Sequence, residues 1–201
     1  MKKTIAQEVV TELYFQKSQF ITYLTPIQSE TEAKEVIKRI KKEHPKATHH
    51  CVAYVVEDIE RSNDDGEPAS SAGLPMLQVL RGNDLDYVLA VVVRYFGGTL
   101  LGVGGLIRAY GSSVKHAIDT AQILIPQEVT TVNLRFPYEY INAVETFLSE
   151  NAEIIDRNYE TLAIYDIKTK NPEQLNGLID ITRGKITIQI VTKKIEYSKE
   201  G

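Results

Sequence analysis

The run Y-V-L-A-V-V-V-R-Y-F-G-G-T-L-L-G-V-G-G-L-I-R-A-Y-G, Tyr87 to Gly111, leaves this chain few ways to fold. Its first part is apolar and β-branched, which predicts a central strand over Tyr87–Phe96, buried on both faces except for Arg94 near its end. The glycines that follow predict a tight turn. From Gly104 to about Gln122, Ile107, Tyr110, Val114, Ala117 or Ile118, and Ala121 recur on one helical face, while Arg108, Ser112, Lys115 and Asp119 mark the other. Just upstream lies S-N-D-D-G-E-P-A-S-S-A-G-L-P, Ser62 to Pro75, whose carboxylates, Gly and Pro rule out a regular helix or central strand.

The flanking segments read as scaffold. Val9–Phe15 and Phe20–Leu24 predict a hairpin whose first strand lies at a sheet edge. Ser29 with Glu32 forms a capping box for a helix running to about Glu43, before Pro45. His50–Val56 predicts a strand, Glu57–Glu67 an acidic segment, and Pro75–Leu80 a short helix ended by Gly82. A short linker is expected around Gln122–Thr131, where Pro126 interrupts the pattern. Beyond it come a strand through Val132, Leu134 and Phe136, a helix through Ile141–Leu148, and hairpin strands at Glu153–Arg157 and Leu162–Thr169. A helix capped by Asn171, Pro172 and Gln174 and a strand through Ile186–Ile190 close the series. That order, β-α-β-β-α-β, is the split-βαβ or ferredoxin-like pattern. The expected fold class is α+β in two domains, residues 1–125 and 131–201.

Composition limits function. The 201 residues suit one domain or two. Cys51 is the single cysteine, so neither an intramolecular disulfide nor a thiolate-only zinc site can form, which fits a reducing cytosol. No apolar run reaches the ~20 residues that cross a bilayer, so the expectation is a soluble, unexported, cytoplasmic protein. With a formal charge of −4, nucleic-acid binding needs a local basic patch.

A strand, glycine turn and helix start together form a generic anion site, because unpaired amides and the helix dipole converge there. Neither phosphate motif closes. Leu106 and Ile107 follow Gly105 where a P-loop needs Lys and Ser or Thr, and Ile107 stands where the dinucleotide fingerprint needs its third glycine. Tight packing and anion binding stand at even odds. Arg94, Arg108 and Lys115 can converge on phosphate there, Arg94 being expected to meet a specific partner. The acidic loop carries Asp64, Asp65 and Glu67, but an EF-hand frame through Gly66 would put Arg61 and Ala72 at ligand positions. The expectation is a solvated loop with ordinary turn chemistry. His49 and Cys51 share a strand face, with a buried, inert thiol favoured over a nucleophile. Ser70 and Ser71 lack a nucleophile elbow.

D-D-G-E-P, A-G-x-P and V-V-V-R-Y-F-G-G-T-L-L-G-V-G-G-L-I-R-A-Y-G together resemble the YigZ/IMPACT family. The resemblance takes in K-S-x-F-I at Lys17–Ile21 and the small C-terminal domain of bacterial members. It implies a first domain like the second domain of a small-subunit ribosomal protein, an α+β sandwich, and a second like the ferredoxin-like fifth domain of elongation factor G. Eukaryotic members are implied to regulate translation by competing for the activator of an amino-acid-starvation kinase, and they carry a preceding domain absent here. Ser70-Ser71 and Leu74 depart from the Gly-Thr and Lys common in the motif, which weakens phosphate binding by the loop itself.

The resulting expectation is a cytoplasmic, translation-linked regulatory protein that contacts RNA, the ribosome or a translation-associated protein. Its candidate binding set is Arg94, Tyr95, Gly97, Gly98, Gly104, Gly105, Arg108 and Lys115, beside the acidic loop. No catalytic residue, metal or cofactor is assigned. The alternatives are a Mg²⁺-dependent enzyme acting on a small phosphorylated ligand and a protein-only interaction module. Oligomeric state is left open.

Overall fold

The computed structural model describes residues 2–199 and is a mixed α+β molecule with two sheets. Its strands and helices run β1 (Thr4–Ile5), β2 (Val9–Phe15), β3 (Ser18–Pro26), α1 (Glu30–Glu43), β4 (His49–Val56), β5 (Ile59–Asn63), α2 (Gly73–Gly82), β6 (Val88–Tyr95) and α3 (Gly102–Thr120). They continue with β7 (Ile123–Phe136), α4 (Ile141–Asn151), β8 (Glu153–Tyr159), β9 (Ala163–Thr169), α5 (Gly177–Ile181) and β10 (Thr187–Lys199). Two compact units divide between Ile125 and Pro126.

In the first unit an antiparallel sheet in the order β2-β3-β6-β4-β5 puts β6 at its centre and β2 at an edge. Alternation along β6 explains its unbroken apolar sequence. Leu89, Val91 and Val93 pack with α1, through Ala33 and Ile40, on one face of the sheet. Val88, Ala90 and Val92 face Met76 and Leu80 of α2 and Leu106, Tyr110 and Val114 of α3 on the other. A strand buried on both faces can carry a charge only where a partner meets it, which makes Arg94 the residue to follow.

Two readings need correction here. The acidic segment Glu57–Glu67 contains β5, which pairs with β4 from Val56–Ile59 to Val52–Asn63. Tertiary pairing there overrides a polar, turn-rich sequence. The expected linker at Gln122–Thr131 is continuous strand in β7, because Pro126 needs only a position where its missing N–H is not required.

The second unit has the element order expected of it. Its strands lie in the order β10-β7-β9-β8, with α4 and α5 contributing Val144, Leu148 and Leu178 to a core with Val132, Leu134, Phe136, Tyr165 and Ile167. Asn171 makes no side-chain cap, and the segment it precedes is a 3-10 turn, Pro172–Asn176, before the short α5. Among the described residues, no helix is long and apolar enough to cross a membrane.

Candidate functional site

The D-D-G-E-P loop is wound on its own carboxylates. Asp64 accepts hydrogen bonds from the backbone amides of Ser70 at 2.9 Å, Ala72 at 3.0 Å and Gly73 at 2.8 Å, and so caps α2 from outside the helix. Asp65 accepts from the His50 amide at 2.7 Å and the Lys41 ammonium at 3.0 Å. Burial by itself raises the Asp65 pKa, but that amide and that ammonium outweigh it and hold the group below its usual value.

Glu67 turns inward. Its Oε1 accepts from the Arg94 guanidinium at 2.6 Å and from the Tyr110 hydroxyl at 2.7 Å, all three residues being buried. His49 Nε2 lies 3.8 Å from the other carboxylate oxygen. Arg94 also donates to Ser18 Oγ at 3.4 Å, and its guanidinium lies 5.4 Å from the Phe20 ring centroid and 5.6 Å from that of Phe96. The solvated acidic loop expected from sequence is therefore corrected: three carboxylates at the end of a sheet have found amides, a hydroxyl and two cations within the fold.

Around this core the thiol is inert. Burial pushes Cys51 up to about 12, and its Sγ donates to the Asp64 carbonyl at 3.0 Å. Burial, with Cys51 and Glu67 alongside, also pushes the Tyr110 phenol up. His50 is pushed down by burial, on the opposite face of β4, where its Nε2 meets the His44 carbonyl at 3.0 Å.

The candidate binding residues do not form one cluster. Arg94 is 5% exposed and salt-bridged, so it is not a free surface cation, as a side chain on the α2–α3 face of β6 must lie beneath those helices. Tyr95, next along the strand, points to the α1 face and hydrogen-bonds His44 at 2.9 Å. Lys115, more than three turns along α3, is exposed and pairs with Asp119. Arg94 and Lys115 are thus both taken up by carboxylates of the fold, Glu67 and Asp119. What remains at the turn is Gly97, Gly98, Gly104 and Gly105, with the exposed Arg108 guanidinium close above Gly104.

Gly97 is where the turn meets the β2–β3 hairpin, since a Cβ there would overlap the Lys17 backbone; its amide donates to Ser18 Oγ at 3.2 Å. Gly102 has φ +69°, and α3 then starts from Leu101 with no side-chain cap. The surroundings are apolar, which sequence reading did not foresee. Phe96, Leu100, Val103 and Ile107 are exposed, Leu100 by 84%. A cleft of 370 Å³ opens among them, walled by Thr48, His49, Glu67, Pro68, Arg94, Phe96, Leu101, Val103 and Leu106. The available signal was Phe96 and Leu100 themselves, apolar residues in a glycine-rich turn that stay exposed.

The model of the Impact N-terminal domain matches residues 16–118, which hold the D-D-G-E-P loop, the glycine turn and the cleft. The chain belongs to the IMPACT family. It is similar to the IMPACT family member YvyE of Bacillus subtilis, 36% identical over 98% of this chain and 96% of that one. It is also similar to the IMPACT family member YigZ of Escherichia coli, 36% identical over 90% and 92%. A crystal structure of a hypothetical protein superposes with a TM-score of 0.59 at 34% identity, covering 96% of this chain and 98% of the other. The matches to these IMPACT-family chains extend across both units, so the second unit belongs to what they share.

Proposed function

We propose that this chain is a cytoplasmic, translation-linked regulatory protein that acts by binding, through the end of its first unit formed by the glycine turn and the start of α3. One observation supports this most: Phe96, Leu100, Val103 and Ile107 stand exposed around an uncapped helix start, while the polar groups beside them are consumed by the fold. Exposed apolar groups gathered round a cleft mark recognition more often than chance packing. A translation-associated protein is the partner the apolar rim favours, and the implied role of eukaryotic family members in translation supplies the setting.

On this reading residues 1–125 form the IMPACT-type domain and 131–201 a ferredoxin-like domain, which the β10-β7-β9-β8 order supports. Direct contact with ribosomal RNA is a second reading. It draws on the exposed Arg108 and on Lys34, Lys38 and Lys42, exposed along α1. The Mg²⁺-dependent enzyme loses ground because Asp64, Asp65 and Glu67 already serve amides, Lys41, Arg94 and Tyr110.

Ribosome-profile fractionation with and without nuclease tests the proposal. The expected result is co-migration with ribosomes or a translation factor that a Phe96→Ser, Arg108→Ala double variant loses. Nuclease-resistant co-migration assigns a protein partner, nuclease-sensitive co-migration assigns RNA, and a double variant that migrates as wild type refutes this surface.

A further inference from the structure

We infer that the cleft beside the glycine turn takes a tryptophan side chain of a partner polypeptide, its indole N–H held between His49 and Glu67 and its rings against Phe96, Leu101 and Val103. This rests on the reading of that end as a binding surface and names the partner's chemistry. Two acceptors beside the turn are left over by the fold. His49 Nδ1 donates to the Asp65 carbonyl at 2.8 Å; a carbonyl only accepts, so the neutral ring carries its proton there and leaves a lone pair at Nε2. That lone pair meets Glu67 Oε2 at 3.8 Å, beyond hydrogen-bonding distance, while Oε1 is the atom that serves Arg94 and Tyr110. Nε2 and Oε2 have no hydrogen-bond partner among the described residues, neither is sealed from solvent, and both residues line the 370 Å³ cleft. Two acceptors so placed call for a donor between them.

The D-D-G-E-P loop builds this pair. Gly66, at φ +91°, lies against the imidazole, where a Cβ would stand 3.5 Å from Nδ1 and Cε1, and the residues on either side of it supply the carbonyl and the carboxylate. The donor's chemistry follows from what surrounds it. Arg94 already balances Glu67 at 2.6 Å, and the start of α3 adds the positive end of its dipole, so a cationic donor is disfavoured. A phosphate or carboxylate would bring more lone pairs to two acceptors. Phe96, Leu100, Leu101, Val103 and Leu106 make the remaining wall apolar, which suits a neutral donor on a large apolar body. An indole N–H donates and accepts nothing, whereas a phenol adds lone pairs of its own beside those of Nε2 and Oε2. Tryptophan is also among the side chains most enriched as buried anchors at interfaces.

The chain contains no tryptophan, so excitation selective for indole reads a tryptophan peptide alone. The test titrates the full chain with three heptapeptides of different flanking sequence, each with a central Trp, and with the same peptides carrying 1-methyltryptophan, Phe or Tyr instead; ¹⁵N NMR of the chain locates each contact. The inference predicts that at least one Trp peptide shifts the amides of His49, Glu67 and Leu100–Val103, and that its 1-methyltryptophan form, which lacks the donor, binds roughly tenfold or more weakly. His49→Ala with a wild-type denaturation midpoint should narrow that difference; the peptide comparison decides alone if the variant does not fold. Long-range ¹H–¹⁵N correlations at about pH 8, above the ordinary histidine range, should find Nε2 of His49 without a proton. A protonated Nε2 there, no binding by any Trp peptide, equal binding of Trp and 1-methyltryptophan peptides, an unchanged difference in folded His49→Ala, or tighter binding of the Tyr peptides overturns the inference. So does N-acetyltryptophanamide binding as tightly as the peptides, which would assign a small indole, or oligouridylate shifting these amides when the peptides do not. If the peptides fail while the Phe96→Ser, Arg108→Ala variant still loses co-migration, only the ligand is wrong; if co-migration is also unaffected, the surface itself is wrong.

Discussion

The D-D-G-E-P loop and the glycine turn lie at the same end of the first unit and use their residues in opposite senses. The loop is rich in charge yet spends it inward: Asp64 on three amides, Asp65 on His50 and Lys41, Glu67 on Arg94 and Tyr110. The turn is apolar yet opens outward, with Leu100 and Val103 exposed and the helix start uncapped. Polar residues here build the fold, and apolar residues are left exposed. The contrast teaches that charge in a motif is not evidence of a ligand until its partners within the chain have been counted.

The largest effect expected from breaking this contrast is at the buried pair. Arg94→Ala leaves Glu67 charged without its guanidinium, and should cost about 3–5 kcal/mol in urea denaturation. Replacing Glu67 and Arg94 together by Leu and Met should recover much of that loss, because no uncompensated charge remains. Asp64→Ala should follow, at about 2 kcal/mol, since three amides at the start of α2 lose one acceptor.

The Asp65 effect is smaller and depends on pH. Its folded pKa lies below the ordinary 3.8, so its contribution is complete above that value and is lost as pH falls through the lowered one. Denaturation midpoints taken from about pH 5 to about pH 2 should therefore fall less steeply in Asp65→Asn than in wild type. The smallest stability effect belongs to the turn. Leu100→Asp, at an 84% exposed position, should shift stability by no more than about 0.5 kcal/mol. A large loss there would mean that the turn, like the loop, is structural.

Much of the fold was legible because periodicity reports burial. The β6 strand, its central position, the edge hairpin, the Ser29–Glu32 cap and the α3 face all follow from residue spacing, and Glu32 accepts from the Gln28 amide while its own amide donates to Ser29. β5 was hidden because pairing with β4, not propensity, makes Ile59–Asn63 a strand. Site reading failed where side chains meet across distant segments: nothing local in Arg94, Glu67 or Tyr110 announces that they converge, separated as they are by a helix and a turn. Strand alternation alone could have separated Arg94 from Tyr95, since neighbours on β6 face opposite layers.

The most direct measurement is the distribution of Leu100→Asp across ribosome-profile fractions, taken beside its denaturation midpoint. The account predicts a wild-type midpoint together with loss of co-migration. Wild-type co-migration at an unchanged midpoint would contradict it, and would move recognition away from the glycine turn.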